Sequence, residues 1–242
     1  MLDTYKFIEK YKRISIIGME KNVGKTTLLN KLIADIGTNK KLGLTSIGRD
    51  GEDIDVVTNT DKPRIYVRRG SIIATGRNCL AKCDITKEIL YVTDFTTPMG
   101  SIVIVRALSD GYVDIAGPSY NKQVKIVVEL MEKFGSEISI VDGALGRKST
   151  AISDVSEATI LSTGAALSLD MLKVVEETKK TVYFLKLNEA EKNIKERVEE
   201  LRDKKAVLFY KNGEVAILEV DNSIDLSNIL KEYLKKDLEY FY

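Results

Sequence analysis

A lysine and a threonine that follow a glycine at the start of a helix can hold a phosphate and a metal ion. This chain has that arrangement in Ile14-Ser15-Ile16-Ile17-Gly18-Met19-Glu20-Lys21-Asn22-Val23-Gly24-Lys25-Thr26-Thr27. The residues open as a short apolar strand, pass into a glycine-bounded loop and end in an amphipathic helix. Successive backbone N–H groups from Lys21, Asn22, Val23, Gly24, Lys25, Thr26 and Thr27 converge on an anion in such a loop, and the helix N-terminus adds its dipole. Lys25 reaches the outer phosphates and the Thr26 hydroxyl holds Mg²⁺. The strict form of the motif has a glycine five positions before Gly24, and that position is Met19; Gly18 lies one residue earlier.

The elements that must position this loop are legible on both sides of it. The apolar run at 14–17 reads as a buried strand, and Leu28, Leu29, Leu32, Ile33 and Ile36 recur at the spacing of one helix face. Gly37 stands where that helix should end. Residues 42–47 form a second strand, which runs into Gly48-Arg49-Asp50-Gly51-Glu52-Asp53. In a strand–helix–strand unit both strands are parallel, so this acidic turn falls on the sheet edge that carries the phosphate loop. Asp50, with Glu52 and Asp53, is a candidate for Mg²⁺ or its waters and Arg49 for phosphate; a solvated turn is the plainer reading.

Composition narrows the chemistry. The chain has 242 residues and a formal charge of +1, which gives no electrostatic reason to expect nucleic acid or an anionic membrane as partner. No apolar run is long enough to span a bilayer and the start does not read as a signal peptide, so a cytoplasmic protein is expected. Histidine is absent, which excludes Ser-His-Asp triads, Cys-His dyads and histidine metal sites. Chemistry is left to carboxylates, Lys, Arg, hydroxyls, backbone amides and a bound metal. Cys79 and Cys83 are four apart, and two buried small hydrophobes are a better reading than half a metal site or a redox pair.

Past residue 54 the pattern becomes β-rich. Apolar runs at 65–67, 71–74, 88–92 and 101–105 alternate with turn residues such as Pro63, Gly70, Pro98 and Gly100. An antiparallel insertion at about 54–112, continuing the main sheet on one edge, is expected within a single domain of residues 1–242. Two strand-end carboxylates follow. Asp114 precedes Ala116-Gly117-Pro118-Ser119, and Asp142 closes the strand Ile138-Ser139-Ile140-Val141. Both are candidates to orient a Thr26-bound metal, and Asp142 is preferred because its strand is more continuously apolar. Arg147 and Lys148 follow as candidates for phosphate or an acidic substrate, against an exposed basic loop. A helix is expected at 120–134, a buried strand at 158–164, a helix at 167–179 with Leu169, Leu172 and Val175 in the core, and a further strand at 181–188. Asn188 reads as a helix cap before a helix at 189–204, or else a contact to a nucleotide base. A hairpin turns at Asn212-Gly213, and a last helix from about Asp225 carries Leu238 on its apolar face.

With these residues in view, the chain resembles the P-loop NTPases of the dethiobiotin-synthetase and nitrogenase-iron-protein branch. Lys21-Asn22-x-Gly24-Lys25-Thr26-Thr27-Leu28 is similar to the loop of the GTP-binding accessory protein of molybdopterin guanine dinucleotide synthesis. Thr45-Ser46-Ile47-Gly48-Arg49-Asp50-Gly51-Glu52, Ala116-Gly117-Pro118-Ser119 and Val141-Asp142-Gly143-Ala144-Leu145 are together similar to the small P-loop subunit encoded beside lysine 5,6-aminomutase genes. The resemblance implies a three-layer α/β P-loop NTPase fold with a mostly parallel sheet, ATP (with GTP open) and Mg²⁺ as cofactors, and Lys25, Asp50 and Asp142 as the catalytic set. It also implies an accessory or reactivating ATPase with a client enzyme, a second subunit or a second copy as partner. The other reading is a small-molecule kinase or ATP-dependent ligase in which Arg49, Arg147 and Lys148 hold an acidic substrate.

Overall fold

The computed structural model describes residues 4–48, 64–143, 155–186, 191–201, 203–204, 206–218 and 238–241. The chain forms two compact units, Met1–Leu185 and Lys186–Tyr242.

The first unit is α/β, with a mostly parallel central sheet and an antiparallel part, compatible with a three-layer arrangement. It opens with helix α1 (Thr4–Ile8), strand β1 (Arg13–Gly18), helix α2 (Lys25–Ile36) and strand β2 (Leu42–Ser46). Then come β3 (Ile65–Val67), β4 (Ile72–Gly76), α3 (Arg77–Leu80), β5 (Lys87–Thr97), β6 (Gly100–Ala107) and β7 (Gly111–Val113). The unit ends with α4 (Asn121–Lys133), β8 (Ile138–Asp142), β9 (Ala158–Ser162) and α5 (Met171–Leu185). The seven-stranded sheet has the order β5-β6-β4-β2-β8-β1-β9. The pairs from β4 through β9 are parallel, whereas β4–β6 and β6–β5 are antiparallel.

The sheet owes this form to burial on both faces. β1, β2 and β4 are buried almost throughout, as parallel strands covered by helices must be. One face packs Ile14, Ile16, Leu42, Leu44 and Ile140 against Leu29, Leu32, Ile33 and Ile36 of α2. Each of those four α2 side chains contributes about 1.5–3 kcal/mol by leaving water. The other face packs Ile72, Ala74, Ile104 and Val141 against Val124, Val127, Val128 and Met131 of α4. Arg13 at the start of β1 ties this layer down through a two-pronged pair with Glu132, both contacts 2.7 Å.

The β-rich stretch does continue the main sheet. β4 is parallel to β2, and the short turn at Pro98 and Met99 allows β5 and β6 to pair only antiparallel. Gly76 accepts that turn closely, since a β-carbon there would lie 2.6 Å from Met99 Cβ. β7 is no member of the main sheet; it pairs with β3 in a two-stranded ribbon.

Two expectations are corrected here. Residues 181–185 lie in α5 rather than in a strand. Thr181, Val182 and Tyr183 favour strands only when a sheet is there to pack on. Here the helix is already started by Asp170, whose Oδ1 accepts the Leu172 N–H at 2.9 Å, and extending a formed helix costs little. Lys180 adds pairs to Glu176 and Glu177 one turn back. Leu169, Leu172 and Val175 are not core: they are 98 %, 75 % and 43 % exposed.

The second unit has helix α6 (Lys192–Glu200) and strands β10 (Ala206–Tyr210), β11 (Val215–Leu218) and β12 (Leu238–Phe241), in the order β11-β10-β12. Every residue of β10 is buried. Ile194 meets Val207 and Phe209 on one face, as the helical spacing predicts. The hairpin turns at Asn212-Gly213, with Gly213 at φ 86°. Leu238 is in an antiparallel strand opposite Tyr210, not in a helix. Residues 219–237 and Asn188 lie outside the described residues.

Candidate functional site

The candidate site lies at the carboxyl end of β1, where a ligand of an open α/β sheet is expected. Residues 19–24 join β1 to α2. Asn22 has φ 59° and Gly24 φ 85°, and Val23 between them is not left-handed. Such alternation turns successive N–H groups to one side and makes an anion-binding concavity. Asparagine tolerates the left-handed region and glycine enters it without penalty. Gly24 is also the N-cap of α2 and brings no capping side chain. The helical ladder begins with the Leu28 N–H to the Gly24 carbonyl at 2.9 Å, so the amides of Lys25, Thr26 and Thr27 precede it.

Lys25 folds back across the loop. Its Nζ donates to the Glu20 carbonyl at 3.0 Å. The Glu20 carboxylate in turn accepts the Lys21 N–H at 2.8 Å, so this residue braces the loop with both of its oxygen groups. Lys21, Asn22 and Thr27 are exposed, and Val23, Lys25 and Thr26 half-buried. The floor is held by β9, since the Met19 N–H donates to the Ser162 carbonyl at 2.9 Å.

Asp142 ends β8, the strand between β1 and β2, and stands opposite Ile16 on one side and Ser46 on the other. Its carbonyl accepts the Ile47 N–H at 2.8 Å, and the residue is half-buried. Asp114, its competitor, belongs to another part of the edge. Its carbonyl accepts the Thr75 hydroxyl at 3.0 Å at the end of β4, three strands from β1 and so roughly 14 Å away at ordinary strand spacing. Asp50 lies outside the described residues, as do Arg49, Glu52, Asp53, Arg147 and Lys148.

Residues 114–118 do something unexpected: they run across the carboxyl ends of β4 and β2. Thr75 Oγ1 accepts the Ala116 N–H, Ser46 Oγ accepts the Gly117 N–H, and Gly76 donates to the Ala116 carbonyl, each at 2.9 Å. The Gly48 N–H donates to the Pro118 carbonyl at 3.0 Å. Ala116, Gly117 and Pro118 are buried. This strap closes the edge over β4 and β2. No local pattern announces it, because its partners come from strands about forty and about seventy residues upstream.

The donor set near β1 is therefore a lysine ammonium, backbone amides, the Thr26 hydroxyl and the Asp142 carboxylate. It can bind a phosphate, and its hard oxygens suit Mg²⁺ that keeps several waters. It has no thiol nucleophile: Cys83 hydrogen-bonds to the Cys79 carbonyl, and burial pushes its thiol up, away from thiolate. Among the described residues no cluster of three or more His, Cys, Asp or Glu side chains is placed to hold a metal ion. Among them also, no helix is long and apolar enough to cross a membrane. No family model, curated protein or solved structure matches the chain.

Proposed function

We propose that the chain is a P-loop NTPase that binds ATP with Mg²⁺ and hydrolyses it as an accessory or reactivating ATPase of a client enzyme in the cytoplasm. The observation that carries the reading is the loop at 19–24 on the carboxyl end of β1. Its left-handed Asn22 and Gly24 give the backbone alternation that suits an anion, and Lys25 Nζ folds back to the Glu20 carbonyl. Asp142 one strand away supplies the carboxylate.

In this reading the loop amides and the α2 N-terminus bind the α- and β-phosphates, and Lys25 leaves the Glu20 carbonyl to meet the outer ones. Thr26 would hold Mg²⁺ and Asp142 would orient it through its waters; bound there, Mg²⁺ would supply neutralisation of charge on the phosphate oxygens. Lys25 stabilises the charge that moves onto the leaving oxygen. The client is expected to be a mutase of the lysine 5,6-aminomutase kind. Support for a protein partner comes from Leu169, Met171 and Leu172, which are 98 %, 74 % and 75 % exposed in and after the loop that follows β9. Exposed apolar groups so close in sequence are a mark of contact surfaces.

The test is calorimetric titration of ATP, ADP and GTP, with and without Mg²⁺, into the wild type and Lys25→Ala. Mg²⁺-dependent ATP binding, weakened about 100-fold or more in the variant, is expected for loss of a charged partner of the phosphates. A wild type that binds none of the three sinks the nucleotide reading. Phosphate release that a purified aminomutase leaves unchanged sinks the client reading alone.

A further inference from the structure

We propose that Gly18 is the positioning residue for the Lys25 ammonium, and that the absence of a side chain at 18 keeps the lysine inside the loop. A β-carbon at Gly18 would lie 2.7 Å from Lys25 Cδ, 2.7 Å from Lys25 Nζ and 2.8 Å from Val23 Cγ2. All three are side-chain atoms, two on the flexible stem of Lys25 and one on the stiffer, β-branched Val23, and no backbone atom is as near. A methyl group at 18 therefore leaves the fold standing and drives Lys25 out of its place. Gly24 has the opposite character: nothing lies within 4 Å of its would-be β-carbon, and glycine is needed there for φ 85° alone. The two glycines do separate work, one by conformation and one by space.

The same geometry explains why the first glycine stands at 18 and not at 19. Met19, the first residue past β1, still donates its N–H to the Ser162 carbonyl and so stays pinned beside β9. The lysine crosses the last residue of β1, which is Gly18. The strand end, and not the loop, supplies the bare surface.

The inference rests on the nucleotide reading for its function but not for its geometry, and the experiment separates the two. Wild type and Gly18→Ala are labelled with limiting acetic anhydride, and the rate at each lysine is read by mass spectrometry. In the wild type Lys25, tied to the Glu20 carbonyl, should react about threefold or more slowly than exposed Lys173 and Lys211, the factor that a net hydrogen bond supplies. In Gly18→Ala that lag should vanish, and MgATP binding should weaken at least about tenfold. A lag that survives in Gly18→Ala overturns the proposal whatever the nucleotide result. So does a lost lag with unchanged MgATP affinity. A wild type that binds no nucleotide sinks the function, and the labelling rates still decide whether Gly18 holds Lys25. Should Gly18→Ala fail to fold, Gly18→Ala/Val23→Ala is compared with Gly18→Ala/Val23→Ala/Lys25→Ala, which removes the Val23 contact from both: a more stable triple variant supports the clash with Lys25, and a triple variant no more stable than the double overturns it.

Discussion

Replacing Gly117 by alanine should break the strap that crosses the ends of β4 and β2. The new β-carbon would fall 1.9 Å from the Ser46 carbonyl oxygen, 2.7 Å from Thr45 Oγ1 and 2.9 Å from the Ser46 carbonyl carbon. Two of these are backbone atoms in a buried central strand, so no side-chain rotation relieves the contact. The strap must move. The overpacking costs about 1–3 kcal/mol. Moving also loosens the Gly117 N–H to Ser46 Oγ bond and the Gly48 N–H to Pro118 bond, at about 1 kcal/mol each. The sum, about 3–5 kcal/mol, lowers the thermal midpoint by roughly 6–20 °C for a unit of this size. Circular dichroism melts of wild type and Gly117→Ala measure it. Gly143→Ala is the control from the neighbouring strand end: its β-carbon would meet only ordinary contacts, at 3.6 Å and beyond. A Gly117→Ala midpoint as close to wild type as the control's would refute the strap's close packing on β2.

Two further outcomes are expected. Glu137 accepts the Lys41 N–H and the Lys40 ammonium at the start of β8, and these hold its carboxyl below the usual carboxylate value. Its contribution, below about 1 kcal/mol for so exposed a pair, is present above the unfolded-state value and lost as pH falls through the folded-state one. Glu137→Gln should therefore lower the thermal midpoint at pH 7 and match wild type in strong acid; a difference that does not shrink on acidification counts against the pairing. Leu172→Glu, on a side chain 75 % exposed, should leave the melt of the first unit within about 0.5 kcal/mol of wild type. A loss of several kcal/mol would restore Leu172 to a core.

The parts of the fold that obey a local rule were open to reading from the chain. The apolar run before Gly18 and the one-sided Leu29, Leu32, Ile33 and Ile36 declare a strand and a helix by period alone. Asn212-Gly213 declares its hairpin because few other residues fit its turn. What stayed hidden depends on which strand lies beside which. Thr181, Val182 and Tyr183 look like a strand until Asp170 is seen to start the helix that runs through them. Asp114 and Asp142 are both strand-end carboxylates; the apolar run before Asp142 favours it, and the order β4-β2-β8-β1 adds the distance between them. The brace from the Glu20 carbonyl to Lys25 could not be foreseen, since a backbone oxygen carries no sequence signal.

The position of β1 also sets a clock. Its two neighbours, β8 and β9, come from residues 138–142 and 158–162, far downstream. A ribosome adding 5–20 residues per second needs roughly 7–30 s to go from Gly18 to Ser162. Until β8 is made, which takes most of that time, the loop's strand has no partner on either side, and its apolar residues wait. Contacts this distant along the chain slow folding, and an unpaired apolar strand is a point of attack for aggregation. A nascent chain halted before residue 158 can hold α2 and β2, yet it lacks the strand that carries the floor of the loop. Of these three strands the one that carries the loop is made first and is flanked on both sides only when the last is made, so termination before residue 158 yields chains without the completed candidate site.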